Sequence, residues 1–135
     1  MNKSSAAAMP QPIVMTDIMD MAAQADTLDW QSFRDGVELF QIYGVMGADG
    51  PSACLLRFQP GAKVPRHAHT GYEHIIVLAG DQTDDRGTYK AGTVLISPPG
   101  TDHAIVSDDG CIVLAIYQAP VSFAGLGAAA SPVQG

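Results

Sequence analysis

The sequence predicts an all-β fold, a small antiparallel barrel or sandwich preceded by a short helical arm. Short runs rich in β-branched and aromatic residues recur between residues 37 and 117, and Gly and Pro separate them at close intervals. The chain has 135 residues, room for one domain rather than two. Hydrophobic residues make up 47% of it, so a packed core is within reach and disorder is not the default.

Residues 1–12, MNKSSAAAMPQP, carry no periodic pattern and read as a leader. With one Lys and no apolar core they do not make a signal peptide, and the expectation is a cytoplasmic protein. Residues 16–25, TDIMDMAAQA, suit a short helix with Thr16 as its cap and Asp17 and Asp20 in its first turn. Ile18, Met21 and Ala22 would then share a face. Trp30 follows as a packing anchor ahead of the strands. Strands are expected over 37–43, 52–58, 64–69, 74–79, 93–97, 103–107 and 111–117, with a hairpin turn at Asp84-Asp85-Arg86-Gly87. Beyond Pro120 the chain turns to small residues without period, and a loosely held tail is expected.

Charge and composition exclude several functions. A formal net charge of −7 repels phosphate, which disfavours a nucleic-acid partner. No basic amphipathic stretch favours a membrane surface, and no apolar run approaches the ~20 residues a bilayer crossing needs. Cys54 and Cys111 fall in apolar strand-like runs and are expected buried and reduced. No Ser/His/Asp arrangement, phosphate-cradling glycine loop or dinucleotide fingerprint is present.

The chemistry concentrates between Gly61 and His103. His67 and His69 are two apart, and alternate side chains of a strand leave on one face, so both imidazoles aim at one point. Glu73 follows a Thr70-Gly71-Tyr72 turn at the head of the next strand. His103 follows the Pro98-Pro99-Gly100 turn, which brings another strand to the same centre. Three neutral imidazoles and one carboxylate suit a single divalent metal ion per chain: Fe, Zn, Ni, Mn or Cu. A filled tetrahedral zinc would be quiet, suiting a structural or sensing role. A six-coordinate metal would keep two positions for a small-molecule ligand or substrate. Glu73 is also the candidate base.

Other polar residues receive blander assignments. His74 points away from Glu73, toward the surface or an interface. Tyr43, Arg57, Tyr72 and Tyr117 read as barrel wall without catalytic roles. Asp84 and Asp85 read as a solvated turn, not an acid/base pair. In residues 73–79, Ile75, Val77 and Ala79 lie in phase with Glu73, while His74, Ile76 and Leu78 take the other face. Residues 111–117 are apolar on both faces as well. A wall facing water should alternate, so a second sheet, the N-terminal segment or a twin subunit must cover the outside. A homodimer is the expectation.

These residues resemble the cupin superfamily. Gly61, His67, His69, Glu73 and Gly80 match the first cupin motif, G-x5-H-x-H-x3-E-x6-G. Gly92, Pro98, Gly100 and His103 match the second, G-x5-P-x-G-x2-H, with Ser107 where an Asn is usual. Within that superfamily the chain is most similar to the ChrR-like group. LLRFQPG, the pair Glu73-His74, DDRGTYKAG and DDGCIVL carry the likeness across residues 30–118. The resemblance implies a jelly-roll cupin β-barrel over residues 29–119, an arm over 1–28 and a tail over 120–135. It implies a metal in the lumen, held by His67, His69, Glu73 and His103. ChrR itself is an anti-sigma factor with a further N-terminal zinc-binding domain. No His or Cys precedes residue 30 here, so the cupin half alone is expected. Stand-alone relatives resemble dioxygenases that cleave carbon–carbon bonds beside ketones. The expected function is therefore a mononuclear non-haem metal dioxygenase acting on a diketone- or hydroxyketone-like compound. The alternative is a non-catalytic metal-dependent sensor of a ligand or oxidant.

Overall fold

The structure, a computed structural model, describes residues 9–123. Its strands are β1 (Gln31–Arg34), β2 (Val37–Tyr43), β3 (Ser52–Phe58), β4 (Ala62–Ala68), β5 (Glu73–Asp84), β6 (Gly87–Lys90), β7 (Val94–Ser97), β8 (Asp102–Ser107) and β9 (Cys111–Tyr117). β1, β2, β3, β9 and β5 pair in that order, all antiparallel, and β7 joins the free side of β5. β4 and β8 make the opposing wall. The far end of β5 reaches that wall, with Thr83 opposite Val106, and pairs there with β6. One long strand thus belongs to both walls and curls the sheet into a half-barrel.

β1 and β6 extend the expected set. The hairpin falls where it was expected: Asp84 pairs with Gly87, leaving Asp85 and Arg86 as its two-residue turn. The start of the tail is held, not loose. Ser122 bridges to Ala68, with paired backbone bonds of 2.7 and 2.9 Å. Residues 1–8 and 124–135 lie outside the described residues.

Two irregularities set which side chains reach the lumen. Between β4 and β8 the register shifts between Val64 and His67, at Pro65. Proline has no N–H to give a ladder, so a bulge is where a strand tolerates it. Between β5 and β9 the register shifts again between Val77 and Ala79. An extra residue sends every later side chain to the other face. The even alternation expected for residues 73–79 therefore fails at its end. Ala79 joins Leu78 on the outer face, because the bulge at Leu78 changes the phase. Beyond it, Gln82 and Asp84 face inward.

The core lies in two layers. The inner one gathers Leu56, Phe58, Ile75, Val77, Ile105 and Val113 among others, between the two walls. The outer one packs Met21 and Ala25 of the arm onto Leu55, Leu78 and Ile112. Burying one such side chain contributes about 1.5–3 kcal/mol, so the arm has reason to lie down. It is a broken helix: a 3₁₀ turn (Ile18–Asp20), α1 (Met21–Gln24) and another 3₁₀ turn (Ala25–Thr27). Thr16 does not cap it. Asp17 holds the cap position at φ 52° with no side-chain bond. The Gln24 amide instead donates back to the Thr16 and Asp17 carbonyls, at 3.1 and 2.8 Å. Ala22 is exposed and Ala25 takes its expected place on the buried face, one helical turn beyond Met21. Trp30 is the anchor it was expected to be. Its Nε1–H donates to the Ala25 carbonyl at 2.8 Å, and its ring meets Phe40 edge-on at 6.3 Å.

Candidate metal centre

Three strands, β4, β5 and β8, deliver four side chains to one point. His67 on β4 sits directly opposite His103 on β8 in the strand register. His69 lies just past β4, tied by its own N–H to the Thr101 carbonyl at 2.8 Å. Glu73 opens β5. Gly80, the last glycine of the first motif, stands at φ 74°, where a Cβ would lie 2.0 Å from the Gly110 carbonyl oxygen. Only glycine lets the wall holding Glu73 close against the β8–β9 turn there. All four side chains are buried, and one ligand atom from each lies within 4.8 Å of the others. The imidazole rings meet edge-on, with centroids 4.8–5.4 Å apart.

The outward-facing nitrogens fix the tautomers. His67 Nδ1 is 2.9 Å from the Pro65 carbonyl, and His69 Nδ1 is 3.1 Å from the Thr101 carbonyl. His103 Nδ1 is 2.9 Å from Asp84 Oδ2. Carbonyl and carboxylate oxygens only accept, so each Nδ1 carries the proton. Each Nε2 is then a bare lone pair turned to the centre. His69 Nε2 and His103 Nε2 are buried without a hydrogen-bond partner, and so is Glu73 Oε1. His69 Nε2 and Glu73 Oε1 stand 2.8 Å apart. Two acceptors at that distance, shut away from water, call for a cation between them. The residues fit a divalent metal, and the four are placed to bind one.

Electrostatics agree. Burial, chiefly, brings His67 down to about 4, so it is neutral at pH 7 and ready to donate its lone pair. Burial works against the Glu73 carboxylate; positive charge on the facing rings, His69 first, holds it below the usual carboxylate range, and where those imidazoles are neutral a metal ion would supply that charge. Burial and then Glu73 push the Tyr117 hydroxyl well up; Tyr117 lies opposite Glu73 on β9.

Asp84 corrects an expectation. Its side chain is not a solvated turn group: it is 1% exposed and accepts from His103 Nδ1 and from the Tyr89 hydroxyl at 2.9 Å. Burial would raise its pKa, and the bonds from Arg86 N–H, His103 and Tyr89 lower it instead. Asp85 is the exposed member of the pair and meets Arg66. The signal that could have found Asp84 was the β5 bulge, which turns it inward; no periodicity announces a bulge.

The centre opens onto a cavity of about 260 Å³. Phe33, Phe58, Ile75, Val121 and Phe123 give it apolar walls, and His67, Glu73 and Tyr117 stand at its metal end. Gln82, itself buried, also lines it. Of the residues weighed as wall, only Tyr117 lines this cavity. Arg57 lies outside, bonded to Glu38 and Asp26 and stacked on Trp30. Tyr43 and Tyr72 are exposed beside a half-buried His74 on the outer surface. Cys54 and Cys111 are free and buried, and burial pushes their thiols up to about 12 and about 11. Among the described residues no helix is long and apolar enough to cross a membrane.

The model of the ChrR cupin-like domain matches residues 19–121. The anti-sigma-E factor ChrR of Cereibacter sphaeroides is 31% identical over 97 residues, covering 70% of this chain and 44% of that protein. The chain thus spans less than half the length of this curated relative. In the structure of Rhodobacter sphaeroides SigE in complex with the anti-sigma ChrR, one chain superposes with a TM-score of 0.61 at 22% identity. That match covers 84% of this chain and 73% of the other. A proposed acetylacetone dioxygenase of Methylibium petroleiphilum PM1 superposes with a TM-score of 0.66 at 16% identity, covering 90% and 83%. At such identities the two superpositions speak for the fold alone, a cupin-like one.

Proposed function

Because the chain belongs to the ChrR cupin-like domain family, matched over residues 19–121, we propose that His67, His69, Glu73 and His103 hold one divalent metal ion, and that the protein is a dioxygenase-type enzyme on a small diketone- or hydroxyketone-like compound. The observation that carries the metal assignment is the pair of lone-pair atoms, His69 Nε2 and Glu73 Oε1, buried 2.8 Å apart. What supports an enzyme is the cavity at the metal end. Four protein ligands leave an octahedral iron, nickel or manganese two positions for a substrate or co-substrate.

The bound metal would polarise a carbonyl or enolate oxygen, so no protein nucleophile is needed. The chain's own residues do the rest. Phe33, Phe58 and Phe123 seat a hydrocarbon body. Tyr117, protonated at neutral pH, can donate to an oxygen beside Glu73. Glu73 brings the M²⁺ site to a formal charge of +1, which favours an anionic or enolate guest. Should Glu73 leave the metal, its carboxylate is the base within reach.

The second reading is a non-catalytic sensor, favoured by the 31% identity to an anti-sigma factor. A tetrahedral zinc closed by the four side chains would suit it. A cytoplasmic setting belongs to either reading, supported by the two free thiols.

Metal analysis of the purified chain tests the site. About one equivalent per chain is expected, and His67→Ala or His103→Ala should remove most of it. Unchanged metal in both variants rejects the ligand set. Oxygen uptake by Fe(II)-loaded protein on β-diketones and hydroxyacetophenones then separates enzyme from sensor; no uptake across the panel favours the sensor.

A further inference from the structure

Arg34 ends β1 at the wall of the metal cavity, and its charge is unanswered. The other arginines each meet a carboxylate: Arg57 meets Glu38 and Asp26, Arg66 meets Asp85 and Asp102, and Arg86 meets Asp84 at 3.8 Å. In a chain with 14 acidic residues and only 7 basic ones, partners are not scarce. Yet Arg34 pairs with none among the described residues. Its guanidinium lies against two aromatic rings instead, 5.3 Å from the centroid of Phe33 and 5.5 Å from that of Phe123. Its Nε is buried without a hydrogen-bond partner. Burial also lowers its pKa, the mark of a cation short of solvation. A cation held this way costs the fold free energy that an arriving anion would return.

The surroundings say what that anion is. Arg34 lines the same cavity as His67 and Glu73, and Phe33, Ile75, Val121 and Phe123 line it too. The tail contributes directly, since Ser122 is clamped to Ala68 by two backbone bonds and so fixes Phe123 beside Arg34. A guanidinium offers parallel N–H donors in a rigid fork that matches a carboxylate. Two aromatic rings against the guanidinium limit its freedom and leave its N–H groups for a ligand.

We propose that Arg34 is the specificity residue of this cavity, and that the ligand is a compact carboxylic acid with an apolar body and a keto or hydroxyl oxygen at its other end. The carboxylate docks on Arg34, the body fills the aromatic walls, and the second oxygen faces the metal centre. This changes the small oxygenated compound proposed above from a neutral diketone to a keto- or hydroxy-acid, and rests on the same cavity. It does not require a particular metal.

Matched pairs test it. Calorimetric binding of 4-oxopentanoate, 5-oxohexanoate and 4-acetylbenzoate is compared with that of hexane-2,5-dione, heptane-2,6-dione and 1,4-diacetylbenzene, which replace the carboxylate by a methyl ketone. Metal-loaded and chelator-treated wild type are both titrated. We expect at least one acid to bind tenfold or more tighter than its neutral partner. Arg34→Gln should abolish the preference, Arg34→Lys should keep part of it, and both should retain the wild-type metal content. Equal affinity within every pair on wild type overturns the proposal without any variant. So does a preference that survives Arg34→Gln. A preference kept after metal removal supports Arg34 even if the metal reading fails.

Discussion

The second nitrogen of each imidazole decides what the first can do. Pro65 and Thr101 offer neutral oxygens to His67 and His69, while Asp84 offers His103 a carboxylate. A carboxylate behind an imidazole fixes its orientation and makes Nε2 a stronger donor. Asp84→Asn should therefore lower metal affinity about 10- to 100-fold while sparing the fold. Competitive chelator titration reads the first effect and far-UV circular dichroism the second. Wild-type affinity in that variant would mean the Asp84 carboxylate only packs against His103. Tyr89→Phe, which removes the donor to Asp84 Oδ1 and leaves the His103 contact intact, should cost less.

A strand can be straight in sequence and bent in space, and β5 is both. The one-residue bulge at Leu78 lets Glu73 and Asp84, eleven positions apart and opposite in parity, serve the same centre. Gly80 permits the bend, since its φ is 74° and a Cβ would meet Gly110 oxygen at 2.0 Å. Gly80→Ala should cost about 3 kcal/mol or more, because left-handed strain adds to a backbone clash. Gly92 has φ 95° but open space around a Cβ, so Gly92→Ala should cost only about 1 kcal/mol. Urea denaturation of the two variants gives the comparison, and equal losses would show that the close approach at Gly110 carries no weight. The arm works by the same logic of fit: Met21 and Ala25 find the outer hydrophobics Leu55, Leu78 and Ile112 that the sheet leaves uncovered.

At the scale of the molecule the outer face is only partly covered. Past the arm, Val94 and Ile96 on β7 stand more than half exposed, and Tyr43 and Tyr72 stand nearby at 44% and 47%. Apolar side chains gathered on a sheet face favour association. The homodimer expected from the two-faced apolar strands stands as a proposal on this patch. Sedimentation velocity should give twice the chain mass at micromolar concentration, and Ile96→Asp should shift it to the monomer. A wild-type monomer at every concentration rejects the dimer.

Much was legible before any coordinates. The strand positions, the hairpin and the four converging ligand candidates follow from period-two alternation, Gly/Pro punctuation and fixed motif spacings, all short-range properties of the chain. The apolar outer faces of β5 and β9 also announced that something must cover them. Tertiary structure alone chose the arm as part of that cover, turned Asp84 inward and left Arg34 without a carboxylate. Those outcomes depend on where a bulge shifts register and on which distant segments come to lie together. Neither quantity is local, so no window of sequence contains it.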